Sequence, residues 1–241
     1  MQQFPYILPQ AVANDVILNR HVEAFFLRVL DLGCGSGRDL ASWGVAAPDV
    51  IIGLDMNRPR LLAAKARFPN RTYVRGSGEC LPFAEASFDR VLSSVALPYT
   101  NIPKTLAEIH RVLAPGGSLW LSLHLPAFTI RELLHNALPK PAAIMFRVYV
   151  AGNGLIFHCT GKTVAFPNGR TESFQTERGM RIALNRAGFV NLSFRPVTEV
   201  GDSFLVDTFH VERKSRFWSS ELLLLSKSEK PRHGSGLMNP P

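Results

Sequence analysis

Residues Asp31–Gly37 read D-L-G-C-G-S-G, an acid followed by three glycines at alternate positions. Apolar residues lead into Asp31 from Val29, and a helix-like stretch follows Gly37. The pattern is a strand, a loop stripped of side chains and a helix, in which a ligand can lie against backbone N–H groups. A carboxylate at the mouth of a buried strand is costly unless it meets a cation or hydrogen-bond donors. A ligand that brings a positive group to Asp31 offsets that cost. Cys34 lies inside the loop, where a small side chain is needed, and reads as packing rather than as a nucleophile.

The spacing separates several kinds of glycine loop. A dinucleotide fingerprint requires G-x-G-x-x-G or A. Counting from Gly33 and Gly35 reaches Arg38, and counting from Gly35 and Gly37 reaches Leu40, so neither register fits. A phosphate loop needs Gly-Lys-Ser or Gly-Lys-Thr, and neither occurs here. A second acid, Asp55, ends the next apolar run, Val50–Leu54. A carboxylate at a strand end beside a glycine loop can accept hydrogen bonds from both hydroxyls of a ribose.

Asp31–Gly37 resembles the first motif of the class I (seven-stranded, Rossmann-like) S-adenosylmethionine-dependent methyltransferases. The chain is most similar to the branch that holds quinone-biosynthesis and many small-molecule enzymes. Cys80-Leu81-Pro82-Phe83, Ser87-Phe88-Asp89 and Val112-Leu113-Ala114-Pro115-Gly116-Gly117 match further family elements in order. The resemblance implies S-adenosylmethionine as cofactor. Asp31, Gly33, Cys34, Gly35 and Gly37 would hold its amino-acid end, and Asp55 its ribose. Gly76-Ser77-Gly78-Glu79 stands where the family has Gly-Asp-Ala-Glu. The family's Asp contacts the adenine amino group; here it is Ser77, which can hydrogen-bond without charge. Glu79 either takes over part of that role or caps the turn. Met56, Gly78 and Ser94 complete the expected cofactor set, and Asp89 reads as a structural turn residue.

Methyl transfer from a sulfonium is an in-line displacement, driven mainly by positioning and exclusion of water. A general base is needed only where the acceptor arrives protonated. The candidates are His124, which ends the fifth strand and titrates near neutrality, and Tyr99, which follows the fourth. Leu97-Pro98-Tyr99 faintly resembles the Asn/Asp-Pro-Pro-Tyr element of nitrogen methyltransferases, without its leading residues. His110 reads as a surface residue. His158, Arg131, Arg147 and Arg170 lie in or near a segment that could face an acceptor.

Strand and helix patterns alternate along the chain, which predicts parallel β-α units. The expected fold is an α/β, doubly wound seven-stranded sheet, mostly parallel with an antiparallel last strand. Residues 1–28 read as a helical lead-in, 29–125 and 175–214 as the core, and 226–241 as a disordered tail. Residues 126–174 break the rhythm. Gly152-Asn153-Gly154 and Asn168-Gly169 are hairpin signals, so a small antiparallel β cap is expected after the fifth strand, on the acceptor side. Its apolar side chains suggest a small or lipid-like acceptor.

The chain has 241 residues and a net charge of +8, of which residues 213–241, with six Lys/Arg and two Glu, carry +4. Two rival readings remain open: an RNA or protein methyltransferase using the basic surface, or a non-catalytic S-adenosylmethionine-binding regulator. No RNA-binding module is recognisable, so nucleic acid is not the expected partner. Three cysteines and no secretory signal suggest reduced thiols and a cytoplasmic location. No metal motif occurs. The late apolar run Leu222–Leu225 is far too short to span a bilayer, so no integral membrane association is expected.

Overall fold

Val29, Leu30 and Leu32 are almost wholly buried in β1 (Arg28–Leu32), as a central parallel strand covered on both faces requires. The computed structural model describes residues 27–37, 50–124, 141–195 and 206–214. β2 (Val50–Asp55) runs parallel on one side of β1 and sets Gly53 opposite Asp31. β4 (Phe88–Ser94) runs parallel on the other side and sets Leu92 opposite the same residue. With β3 (Thr72–Arg75), β5 (Leu113–His124), β6 (Phe189–Arg195) and β7 (Val206–Arg213), the sheet has the order β3-β2-β1-β4-β5-β7-β6. β7 is antiparallel to both neighbours, so the last strand is the reversed one, as the sequence implies. The order turns back between β1 and β4, which leaves a crevice beyond the carboxyl ends of those strands.

The helices start where side chains cap them. Asn57 accepts from the Arg60 N–H ahead of α1 (Arg58–Arg67), and Asn101 accepts from the Lys104 N–H ahead of α2 (Ile102–Val112). Each has a proline in its first turn, where the missing N–H costs nothing. α2 buries Ile102, Leu106, Ile109 and Val112 at helical spacing against the sheet. β5 begins earlier than the sequence suggests, at Leu113. Its ladder to β4 steps from Phe88 opposite Leu113 to Arg90 opposite Ser118, so Pro115-Gly116-Gly117 bulges within the strand instead of preceding it.

The expected β cap is corrected by the structure. Pro141–Thr160 is one helix, α3, and no ladder joins residues 163–174 to it. The Gly-Asn-Gly triplet serves helix packing. A Cβ on Gly154 would lie 2.3 Å from the Phe174 ring, so only glycine lets that ring in. Asn153 is buried; its amide donates to the Glu172 carbonyl at 2.9 Å, and its oxygen accepts from the Val164 N–H at 2.8 Å. A residue that ties a helix to a returning loop looks, in sequence, like a turn. The second signal is half right: Gly169 turns the chain, with Phe166 and Arg170 hydrogen-bonded across it, but no strands extend from the turn. α3 crosses α4 (Glu177–Arg186) where Phe157 is fully buried against Gly179. Burying that ring contributes about 2–3 kcal/mol. The lead-in, the helix after Gly37, the helix expected over Phe128–Leu138 and the C-terminal tail lie outside the described residues.

His110 is not the surface residue that the sequence suggests. It meets the Phe189 ring edge-on at 5.3 Å and abuts Gly188, joining α2 to β6. Burial, with help from the charge of Arg213, holds its pKa below the ordinary 6.5. The folded state therefore favours neutral imidazole. That contribution is intact above the unfolded value near 6.5 and is lost as pH falls below it. Two outcomes are expected in urea unfolding. The wild type loses stability as pH drops below about 6.5, and His110→Gln shows a shallower loss. Gly154→Ala costs about 1–3 kcal/mol through overpacking, whereas Gly152→Ala, exposed with open space beside it, gains up to about 1 kcal/mol of helix propensity.

Candidate active site at the carboxyl ends of β1, β2 and β4

The glycine loop is fixed from below. The N–H groups of Gly33 and Cys34 both donate to the Leu54 carbonyl, at 2.7 and 3.1 Å, and the Gly37 N–H donates to the Cys34 carbonyl at 2.8 Å. Gly33 has φ +75° and a Cβ there would sit 2.3 Å from that of Ala96. Gly35 has φ +53°, yet a Cβ there would meet nothing within 4 Å. The loop is thus packed tightly at its base and open at its crest. Cys34 is buried against Gly53, which agrees with a packing role.

The Asp55 carboxylate closes this arrangement. One oxygen accepts from the Gly35 N–H at 2.9 Å and the other from the Asn57 N–H at 2.7 Å. A carboxylate offers about four acceptor positions, so capacity remains on both oxygens. Asp31 is 2% exposed at the end of β1, flanked by β2 and β4. The two acids that the sequence singles out therefore stand on adjacent strands, on either side of one loop. Met56 follows as an exposed side chain, 67% accessible, and its carbonyl accepts from Arg75.

Ser77 and Cys80 form a bridge after β3, and the Ser77 hydroxyl accepts from the Glu79 N–H. The Glu79 carboxylate accepts from the Asn101 N–H at 2.8 Å, tying this turn to the start of α2. Gly78 is buried, with Leu32 and Thr105 within reach of any added Cβ. Ser94, half-buried, ends β4 opposite Ser122. Tyr99 is half-exposed in the 3-10 turn Leu97–Tyr99. The backbone of His124 ends β5 opposite Val206; its side chain lies outside what the structure describes. The loop after α3 reaches this end of the sheet, since the Ser173 N–H donates to the Pro98 carbonyl at 3.1 Å.

Several supporting residues carry no motif. Tyr73 lies under the loop, its ring filling the space beside Gly53 and its hydroxyl near Gly37. Burial pushes its phenol up, Arg71 opposes this, and Cys34 and Asp31 add to it. Arg111 donates to the carbonyls of Leu81 and Phe83 and pairs with Glu108, which accepts from the Leu81 N–H. The Glu108/Arg111 spacing on a helix is the one sequence signal for this clamp. Asp89 is structural: it takes the Arg28 guanidinium at 2.9 Å across β1 and β4. Burial pushes its carboxyl up, but the hydrogen bonds and charge of Arg28 more than reverse this and leave it below the ordinary 3.8.

This sheet order, with a glycine loop after the first strand and an acid at the end of the second, defines the class I methyltransferase fold. Residues 30–121 match the protein family described as a methyltransferase domain. An uncharacterized methyltransferase of Synechocystis is 41% identical over 107 residues, covering 42% of this chain and 49% of that protein. A malonyl-[acyl-carrier protein] O-methyltransferase of Erwinia pyrifoliae is 39% identical over 97 residues, covering 40% and 37%. A demethylmenaquinone methyltransferase of Chlorobaculum parvum is 28% identical over 178 residues, covering 71% and 69%. This chain thus spans half or less of the first two relatives. Among solved structures, a phosphoethanolamine N-methyltransferase of Haemonchus contortus in complex with S-adenosyl-L-methionine superposes with a TM-score of 0.58 at 13% identity, covering 84% of this chain and 52% of that one.

The contrast between Gly33 and Gly35 is testable by thermal unfolding. Gly33→Ala combines a disfavoured φ with a clash against the Ala96 methyl and is expected to cost about 3 kcal/mol or more. Gly35→Ala faces only the left-handed backbone penalty, about 1–2 kcal/mol, and should still fold.

Proposed function

We propose that the chain is an S-adenosylmethionine-dependent methyltransferase acting on a small or lipid-like acceptor. The observation that carries this reading is the Asp55 carboxylate bonded to the crest of an open glycine loop, with Asp31 buried one strand away. The site fits the donor in its own chemistry. Asp31 supplies negative charge for an ammonium group, the loop supplies a surface without side chains, and Asp55 retains acceptor capacity for ribose hydroxyls. Ser77 lies on the side where the adenine would rest and offers a neutral hydrogen bond to it. Glu79 ties that wall to the start of α2 through the Asn101 N–H.

The bound donor supplies a methyl group already activated by its sulfonium. The protein's work is then to align and to exclude water. Tyr99, at the rim beyond β4, is placed to orient an acceptor, and His124, at the end of β5, is the proposed proton acceptor where the acceptor is a hydroxyl or acid. Relatives named as demethylmenaquinone and malonyl-[acyl-carrier protein] methyltransferases support a non-macromolecular methyl-accepting group.

Calorimetric titration with S-adenosylhomocysteine tests the donor site. Binding to the wild type is expected, with Asp55→Ala at least about tenfold weaker, or about 1.4 kcal/mol. No binding by the wild type, or equal binding by the variant, would sink the assignment.

A further inference from the structure

α3 has the composition of a helix buried on all sides, yet among the described residues protein covers only one side of it. From Ala142 to Thr160 its mean hydropathy is 1.3, which by length and composition alone would suffice to cross a membrane. It is nonetheless a built-in part of the domain. Val150 and Phe157 are buried to within 1% of full coverage, and Asn153 and Gly154 lock the helix to the chain that returns beside it. These four residues mark the inner face.

The outer face is unusual in what it lacks. Met145, Val148, Leu155 and Ile156 are 59%, 61%, 61% and 43% exposed, and Gly152 and Cys159 between them are exposed as well. At 100° per residue these six positions fall in one contiguous stripe. None of them is charged, whereas the solvent face of a surface helix is ordinarily polar. The single Lys or Arg of the helix, Arg147, projects elsewhere and pairs with Glu172 at 3.0 Å.

One edge of the stripe is flanked by the loop that follows α3. Tyr149 fixes that loop, its hydroxyl donating to the Val164 carbonyl at 2.6 Å. The loop adds one more exposed apolar residue, Val164, at 52%, and two exposed cations, Lys162 and Arg170. Arg170 stacks over the Phe146 ring at 4.4 Å and lies 3.7 Å from the Glu172 carboxylate, which Arg147 also holds, so two guanidiniums share one carboxylate and the border keeps a net positive charge. An apolar stripe with a cationic border matches a layer of acyl chains beneath anionic headgroups. A second copy of this chain would bring cationic borders together within a protein of net charge +8, which disfavours self-association through the same face.

We propose that the outer face of α3 rests on an anionic membrane surface, with Met145, Val148, Leu155 and Ile156 inserted at the headgroup boundary and Lys162 and Arg170 on lipid phosphates. The loop that borders the stripe also touches Pro98, beside the Tyr99 turn, through Ser173. The docked loop is thereby tied to the turn at the rim of the candidate site. The proposal does not depend on methyl transfer, because docking requires only the folded domain.

Flotation with phosphatidylcholine vesicles, with and without phosphatidylglycerol, tests it on the full chain. The wild type is expected to float with the anionic vesicles, and to do so less as salt is raised. The exposed-site variant Met145→Glu/Val148→Glu/Leu155→Glu should lower the partition by about tenfold or more, and Lys162→Ala/Arg170→Ala by about tenfold. Both variants should bind S-adenosylhomocysteine as the wild type does, and Asp55→Ala should float normally, which separates this contact from the donor site. Failure to float, or flotation unaffected by the triple variant, overturns the proposal. So does a concentration-dependent dimer in analytical ultracentrifugation that the triple variant abolishes, since that makes a second copy the occupant.

Discussion

One hydrogen bond organises the carboxyl end of this sheet: the 2.9 Å bond from the Gly35 N–H to the Asp55 carboxylate. It joins the loop after β1 to the end of β2, and it needs an acceptor with several lone pairs. A neutral side chain at position 55 could satisfy the loop or a ligand, but would have less capacity for both. The carboxylate can hold the loop in shape before a ligand arrives and still receive hydroxyl groups afterwards. Everything below it serves to keep the two groups at that distance. Leu54 holds the loop's base by its carbonyl, Cys34 packs on Gly53, and Tyr73 fills the space beneath.

The parallel half of the fold was legible because its signals are local. Asp31–Gly37 and Asp55 sit at the ends of short apolar runs, and each run became a strand within a residue or so of its expected limits. The region after β5 was misread because its signals are not local. Gly152-Asn153-Gly154 has the composition of a turn, but its residues answer to Phe174, Glu172 and Val164, which arrive later in the chain. His110 was misjudged for the same reason: its partners are Phe189 and Gly188, brought over by β6. Glu79 is the intermediate case: its residue type allows two roles, and its structural partner, the Asn101 N–H, arrives 22 positions later in the chain.

The wall of the site depends on helix α2 as much as on the strands. Glu108 and Arg111 grip the Leu81–Phe83 segment from within the helix, while Glu79 grips the helix start from the turn. The bonds run in both directions, so the segment after β3 and the helix after β4 behave as one piece. The ion pair between Glu108 and Arg111 is only partly shielded, so its own Coulomb energy is small. Its value lies in presenting charged groups to backbone carbonyls and N–H groups that would otherwise be poorly met.

The contact between Gly33 and Ala96 leaves the molecule no slack at its centre. With the methyl of Ala96 standing where a side chain on Gly33 would be, the loop after β1 packs directly on the residue that opens the turn bearing Tyr99. Any side chain at position 33 would therefore have to push the cradle and the rim of the crevice apart.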